Sequence, residues 1–91
     1  MLDAETCARI RAVLLRVEYK CPNAMACSYA REGRRLLATG KRDVPRAMLD
    51  QLLYVKSNLG HWRGVMAVAT KRKLLELISE LTTIEESRTE L

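Results

Sequence analysis

The sequence contains no phenylalanine, and its only aromatic residues are one Trp and three Tyr. The interior must therefore be filled by Leu, Val, Met and Ala, a set suited to packing helix on helix. Glycine and proline are sparse, at four and two, and hydrophobic residues make up 48%, which excludes a disordered chain. No apolar run approaches the roughly 20 residues needed to span a bilayer, so no transmembrane helix is expected. Residues 1–20 interleave Asp3, Glu5, Arg9, Arg11 and Arg16 with apolar positions, which does not read as a secretory leader. Ninety-one residues leave room for one core only, and a core of that size is marginal unless helices pack well or chains associate.

Chemistry-bearing residues are equally scarce. Cys7, Cys21 and Cys27 are odd in number and cannot all pair, which predicts free thiols in a reducing cytoplasm. With His61 they match a Cys₃His count, but the tight two-ligand knuckle of structural zinc sites is missing, so no metal is expected. Cys7 and Cys21 also fall on an apolar stripe, where free cysteine behaves as a small hydrophobe. His61 is the single histidine, and any Cys–His nucleophile would depend on it. Gly60 and Gly64 flank a tryptophan and lack the Lys-Ser/Thr of a phosphate loop. These absences predict no enzyme, no cofactor and no small-molecule substrate.

What the chain does contain is helical periodicity. Cys7, Ile10, Leu14, Val17 and Cys21 recur at 3-4-3-4 spacing, predicting a helix from Leu2 to Lys20, capped by Asp3 and ended by Pro22. A second helix is predicted from about Asn23 to Thr39, with a small inner face of Ala26, Tyr29, Ala30 and Gly33 and with Gly40 as its cap. Gly33 costs about 1 kcal/mol against Ala in mid-helix, which points to close approach of a neighbouring backbone. Asp43, Val44 and Pro45 announce a third helix, whose apolar face is Met48, Leu49, Leu52, Leu53, Val55 and Leu59 and which Gly60 closes. The fourth runs from about Arg63 to Leu81 with Val65, Met66, Ala69, Leu74, Leu77, Ile78 and Leu81 inward. Thr83 and Glu86 have capping-box spacing for a short further helix in a tail too polar to dock firmly.

The expected fold is all-α, a small four-helix bundle over residues 1–82, followed by a polar, acidic, frayed tail at 83–91. Leu14-Leu15-Arg16-Val17 is echoed 38 positions later by Leu52-Leu53-Tyr54-Val55, and Arg34-Arg35-Leu36-Leu37 by Arg72-Lys73-Leu74-Leu75. One reading is two αα-hairpins related by internal duplication. The other is that leucine pairs in amphipathic helices coincide often.

Charge is unevenly placed. Residues 31–46 carry net +4 and residues 56–73 carry net +5 with no acid, whereas residues 74–91 carry net −4. Arg31, Arg34 and Arg35 share one helical face, and Lys71, Arg72 and Lys73 fan over another. With Lys41 and Arg42 they are the candidates for a cationic band binding nucleic acid or another polyanion. The alternative is a solvated face that keeps a basic protein in solution. Aromatics are too few for a single-strand stacking platform. The densest recognition-type residues are Tyr54, His61, Trp62 and Arg63, joined by Met48 as candidates for protein interaction. The other reading of Trp62 is a plug over the end of the core. The leading expectation is a non-catalytic cytoplasmic module that binds a protein partner and self-associates as a homodimer, away from membranes, with nucleic-acid binding as the alternative.

Overall fold

The structure, a computed structural model, describes residues 2–39 and 44–89. It is an all-α four-helix bundle built from α1 (Ala4–Lys20), α2 (Ala24–Thr39), α3 (Val44–Ser57) and α4 (Val65–Thr89), with no strand among the described residues. Asp3 caps α1 by accepting a hydrogen bond of 2.7 Å from the Thr6 amide. Cys21, in extended conformation before Pro22, ends that helix, and its amide donates to the Val17 carbonyl. Asn23 caps α2 through its side-chain oxygen, which accepts from the Ala26 amide at 2.9 Å. Pro45 stands in the first turn of α3, where its missing N–H costs nothing, and it is fully buried. Gly40, Lys41, Arg42 and Asp43 lie outside the described residues, as does the side chain of Val44.

Neighbouring helices run antiparallel. Glu18 meets Arg31 and Arg34, Tyr29 meets Tyr54, and Arg9 meets Glu80. Each helix packs on the next in sequence, and α4 closes the ring against α1 along the thinnest seam. The core is contributed by Ile10, Leu14 and Val17 of α1, Ala26 and Ala30 of α2, Met48, Leu52 and Val55 of α3, and Leu74, Leu77 and Leu81 of α4. The small face of α2 is what lets α1 and α3 come together over it. A Cβ on Gly33 would lie 2.8 Å from Leu14 Cδ1, with Met48 Sδ and Gln51 Cβ just beyond, so what packs tightly on this glycine is side chains of α1 and α3, not the expected neighbouring backbone.

Several expectations are corrected. Val65 and Met66 are exposed, and the inward positions are Ala67 and Thr70, because Leu74, Leu77 and Leu81 set the phase and a 3-4 spacing counts back to those two. Leu53 turns partly outward from α3. Gly60 does not close α3. The helix ends at Ser57, its last carbonyls accept from the side chains of Ser57 and Asn58, and the left-handed glycine is Gly64 (φ +112°) just before α4. The helix also runs past residue 82 without a break. Thr83 is no cap, since its hydroxyl bonds back to the Ser79 carbonyl within the helix, and Ile84 packs against the core. At 1.5 Å per residue, the 25 residues of α4 extend roughly 37 Å, which accounts for most of the 41 Å long axis. Among the described residues no helix is long and apolar enough to cross a membrane.

Two measurements check this account. Overpacking a filled core costs about 1–3 kcal/mol and outweighs the gain of about 1 kcal/mol in helix propensity, so Gly33→Ala lowers the urea midpoint. The Thr6 hydrogen bonds hold the Asp3 carboxyl below its ordinary value of 3.8. The cap's contribution is therefore complete above that value and is lost as pH falls through the lowered native one. Asp3→Asn keeps an acceptor but no titration, so parent and variant converge in stability as the medium is acidified from about pH 6 to about pH 2.

Candidate docking surface

α4 is apolar on two sides. Positions 67, 70, 74 and 77 face the core, and the residues two places before each lie about 200° around the helix. Those residues are Val65, Val68, Arg72 and Leu75, so three apolar side chains and one arginine point to solvent along one stripe. Val65 is 91% exposed, Val68 58% and Leu75 49%, with Met66 beside them at 43%. A hollow of about 200 Å³ between the end of α3 and α4 adjoins the stripe and is lined by Lys56, Leu59, Gly60, Lys71, Leu74 and Leu75. Gly64 sets the direction of the stripe: its positive φ turns the chain, and its carbonyl accepts from the Val68 amide at 3.0 Å.

The expected interaction residues divide. Met48 is entirely buried among the core side chains and has no surface to offer. Trp62 is buried as well, joined to the core cluster at the α3–α4 turn, where it acts as the plug. Lys71 ties that turn down by donating from Nζ to the Trp62 carbonyl at 2.7 Å. Tyr54 is half-exposed, with its ring 5.1 Å from that of Tyr29, and His61 and Arg63 are exposed. Val65, Val68 and Leu75 were not singled out as a surface. Their 3-4-3 spacing with Arg72 was the signal, and it is masked by the arginine in its middle.

The cationic residues do not form one band. α2 and α4 occupy opposite corners of the ring and make no contact with each other among the described residues. Arg34 holds both carboxylate oxygens of Glu18, through Nε and, at 2.9 Å, through Nη2, and Arg31 approaches the same carboxylate at 3.6 Å. Arg35 pairs with Glu32 at 3.4 Å. Three guanidinium groups of α2 are thus matched by two carboxylates. Arg72 and Lys73 are exposed on α4, while Lys41 and Arg42 lie outside the described residues. At the stripe of α4, Lys56 and Lys71 line the adjoining hollow and Arg72 lies beside Val65 and Val68, in a stretch of sequence (56–73) that contains no acid.

The Cys27 thiol is chemically quiet. All three cysteines are free thiols. The Cys27 thiol lies against the carbonyls of Val17, Glu18 and Cys21, capping the end of α1, and burial pushes its pKa up, away from the reactive thiolate. Among the described residues no three His, Cys, Asp or Glu side chains gather as a metal site. Comparison of the chain with protein-family models, with curated proteins and with solved structures finds no match.

The Glu18 cluster gives an asymmetric expectation. The Glu18 side chain is only 8% exposed, whereas that of Arg34 is 36% exposed and can return to water. Removing Arg34 leaves a nearly buried carboxylate with only the longer contact to Arg31, and removing the carboxylate strands little. Arg34→Ala therefore lowers the urea midpoint more than Glu18→Ala does, and the double variant falls short of the sum of the two.

Proposed function

We propose that this chain is a non-catalytic interaction module whose docking surface is the outward face of α4, and that its partner presents an acidic amphipathic helix. The observation that carries the reading is the second apolar stripe, Val65, Val68 and Leu75, on a helix whose other face already fills the core. Stripe and hollow together run over about 10 residues of α4, roughly 15 Å, enough to seat two to three turns of a partner helix. Burying a few half-exposed Val, Leu and Met side chains gains on the order of 1 kcal/mol each, so affinity is expected in the micromolar range once association costs are met.

Charge selects the occupant. Lys56 and Lys71 line the hollow beside the stripe and Arg72 lies within it, so acidic residues flanking the partner's apolar face meet cations there. A second copy seated face to face would set the same cations against each other, and self-association through this surface gains only as salt screens them. Nucleic acid would use the cations but leave the valines and Leu75 without a role. The three free thiols support a reducing, cytoplasmic setting.

The probe is a labelled amphipathic peptide of about 18 residues, five turns, carrying Leu on one face and Glu on the other, followed by fluorescence anisotropy. The same peptide with Lys for Glu and a short DNA duplex are the controls. The acidic peptide binds and weakens with salt, and Val68→Glu weakens it at least about tenfold while leaving the helical spectrum intact. Equal binding of the acidic peptide to parent and Val68→Glu would overturn the reading. So would DNA binding tighter than the peptide, or a doubled sedimentation mass at low salt that Val68→Glu abolishes.

A further inference from the structure

The α1–α4 seam holds a groove of about 180 Å³ on a different side of α4 from the docking stripe, lined by Arg9, Ala12, Val13, Arg16, Thr70, Lys73, Glu76 and Leu77. Three observations at this groove bear on what it holds.

The first is Thr70. It occupies an inward position of α4 between Ala67 and Leu74 and is fully buried, yet its hydroxyl has no hydrogen-bond partner. The other inward anchors of α4 are apolar, so a hydroxyl here is out of place by composition. Local bonding does not relieve it. Thr82 and Thr83 on the same helix each bond back to the carbonyl four residues earlier, at 2.7 and 3.1 Å, and Thr70 does not. A buried, unbonded hydroxyl is a cost that Val, of the same shape, would not carry.

The second is the charge around it. At one end of the groove Arg9 is matched, bonded to Glu80 at 2.9 Å with Glu76 also in its field. At the other end Arg16 on α1 and Lys73 on α4 line opposite walls, and among the described residues neither has an ion pair or side-chain hydrogen bond. Lys73 stands one turn from Thr70 on the same helix, so the orphan hydroxyl and the two unmatched cations belong to the same end. The third is the floor. Ala12, Val13 and Leu77 give an apolar surface beside those cations.

A hydroxyl donor with two cations across a narrow groove is the donor set of an oxyanion site. The volume lies below the range that holds drug-sized ligands, which limits the ligand to a small one. We propose that the α1–α4 groove binds a small organic oxyanion, its carboxylate or phosphate head between Arg16 and Lys73 with Thr70 as donor and its short apolar body against Val13 and Leu77. Threonine in a helix has two accessible χ1 wells, so the hydroxyl turns toward the head without moving α4. The ligand links the two helices whose mutual contact is thinnest, so binding also stabilises the closed ring.

The test uses the whole chain and three probes: hexanoate, butyl phosphate and inorganic phosphate. Amide shifts are followed by NMR and thermal stability is measured alongside. Hexanoate or butyl phosphate shifts residues on both walls and raises the melting temperature, and the head that binds tighter identifies the source chemistry. Arg16→Gln and Lys73→Gln each weaken that probe about tenfold. Thr70→Val separates the site from a packing flaw: it weakens the probe about fivefold while making the ligand-free protein more resistant to urea. A Thr70→Val protein that binds the probes as the parent does overturns the proposal. So does inorganic phosphate binding as tightly as butyl phosphate, or the absence of any wall shift at millimolar probe. Val68→Glu leaves these results unchanged, so the groove and the docking stripe stand or fall separately.

Discussion

The tightest packing on α2 is at Gly33, where Leu14 of α1 lies against a position with no side chain, and the closeness of the bundle depends on such small residues. With no phenylalanine to fill a wide interior, the helices must lie close for Leu, Val and Ala to exclude water. Ala26, Ala30 and Gly33 provide that closeness along the whole inner face of α2. Met48 then closes over the same spot from α3, its flexible thioether suited to an irregular gap. Glu18 completes the α1–α2 junction from outside, with Arg31 and Arg34 on it.

The helices of the first half were legible because their signals are local. Asp3, Pro22 and Asn23 act within a turn of themselves, and the Ile10–Leu14–Val17 stripe has no competing face. α4 was misread at its start because two apolar stripes coexist on it. Val65 and Met66 look like core by residue type, and Ala67 and Thr70 do not, yet Leu74, Leu77 and Leu81 fix which side is buried. Its end was misread for the opposite reason: a polar composition after Leu81 says nothing against helix when Ile84 still finds the core. Gly60 and Gly64 were indistinguishable in sequence, since only the path of the chain decides which of two glycines takes the left-handed turn.

The candidate surfaces were legible in part. The free cations near residues 56–73 follow from counting charges, and the neutralised ones on α2 do not, because Glu18 belongs to another helix. Met48 and Trp62 were candidates by residue type, and burial removes both. The diagonal placement of α2 and α4 likewise depends on the order in which helices close the ring, which no local pattern encodes. What emerges is a division of labour along α4. Its inner side holds the bundle, its α1 side forms the groove with Thr70, and its outward side carries the stripe.

Gly64 connects that division to how such a chain drifts over generations. The residue carries a backbone angle that L side chains rarely adopt, and nothing lies within 4 Å of where a Cβ would be. Space therefore does not forbid a change there; chirality does. A single codon altered at this position would re-aim the first turn of α4, swinging Val65 and Val68 to a new bearing while every side chain of the stripe stayed the same. The bearing of the stripe thus depends on a residue that contributes a backbone angle and no side chain.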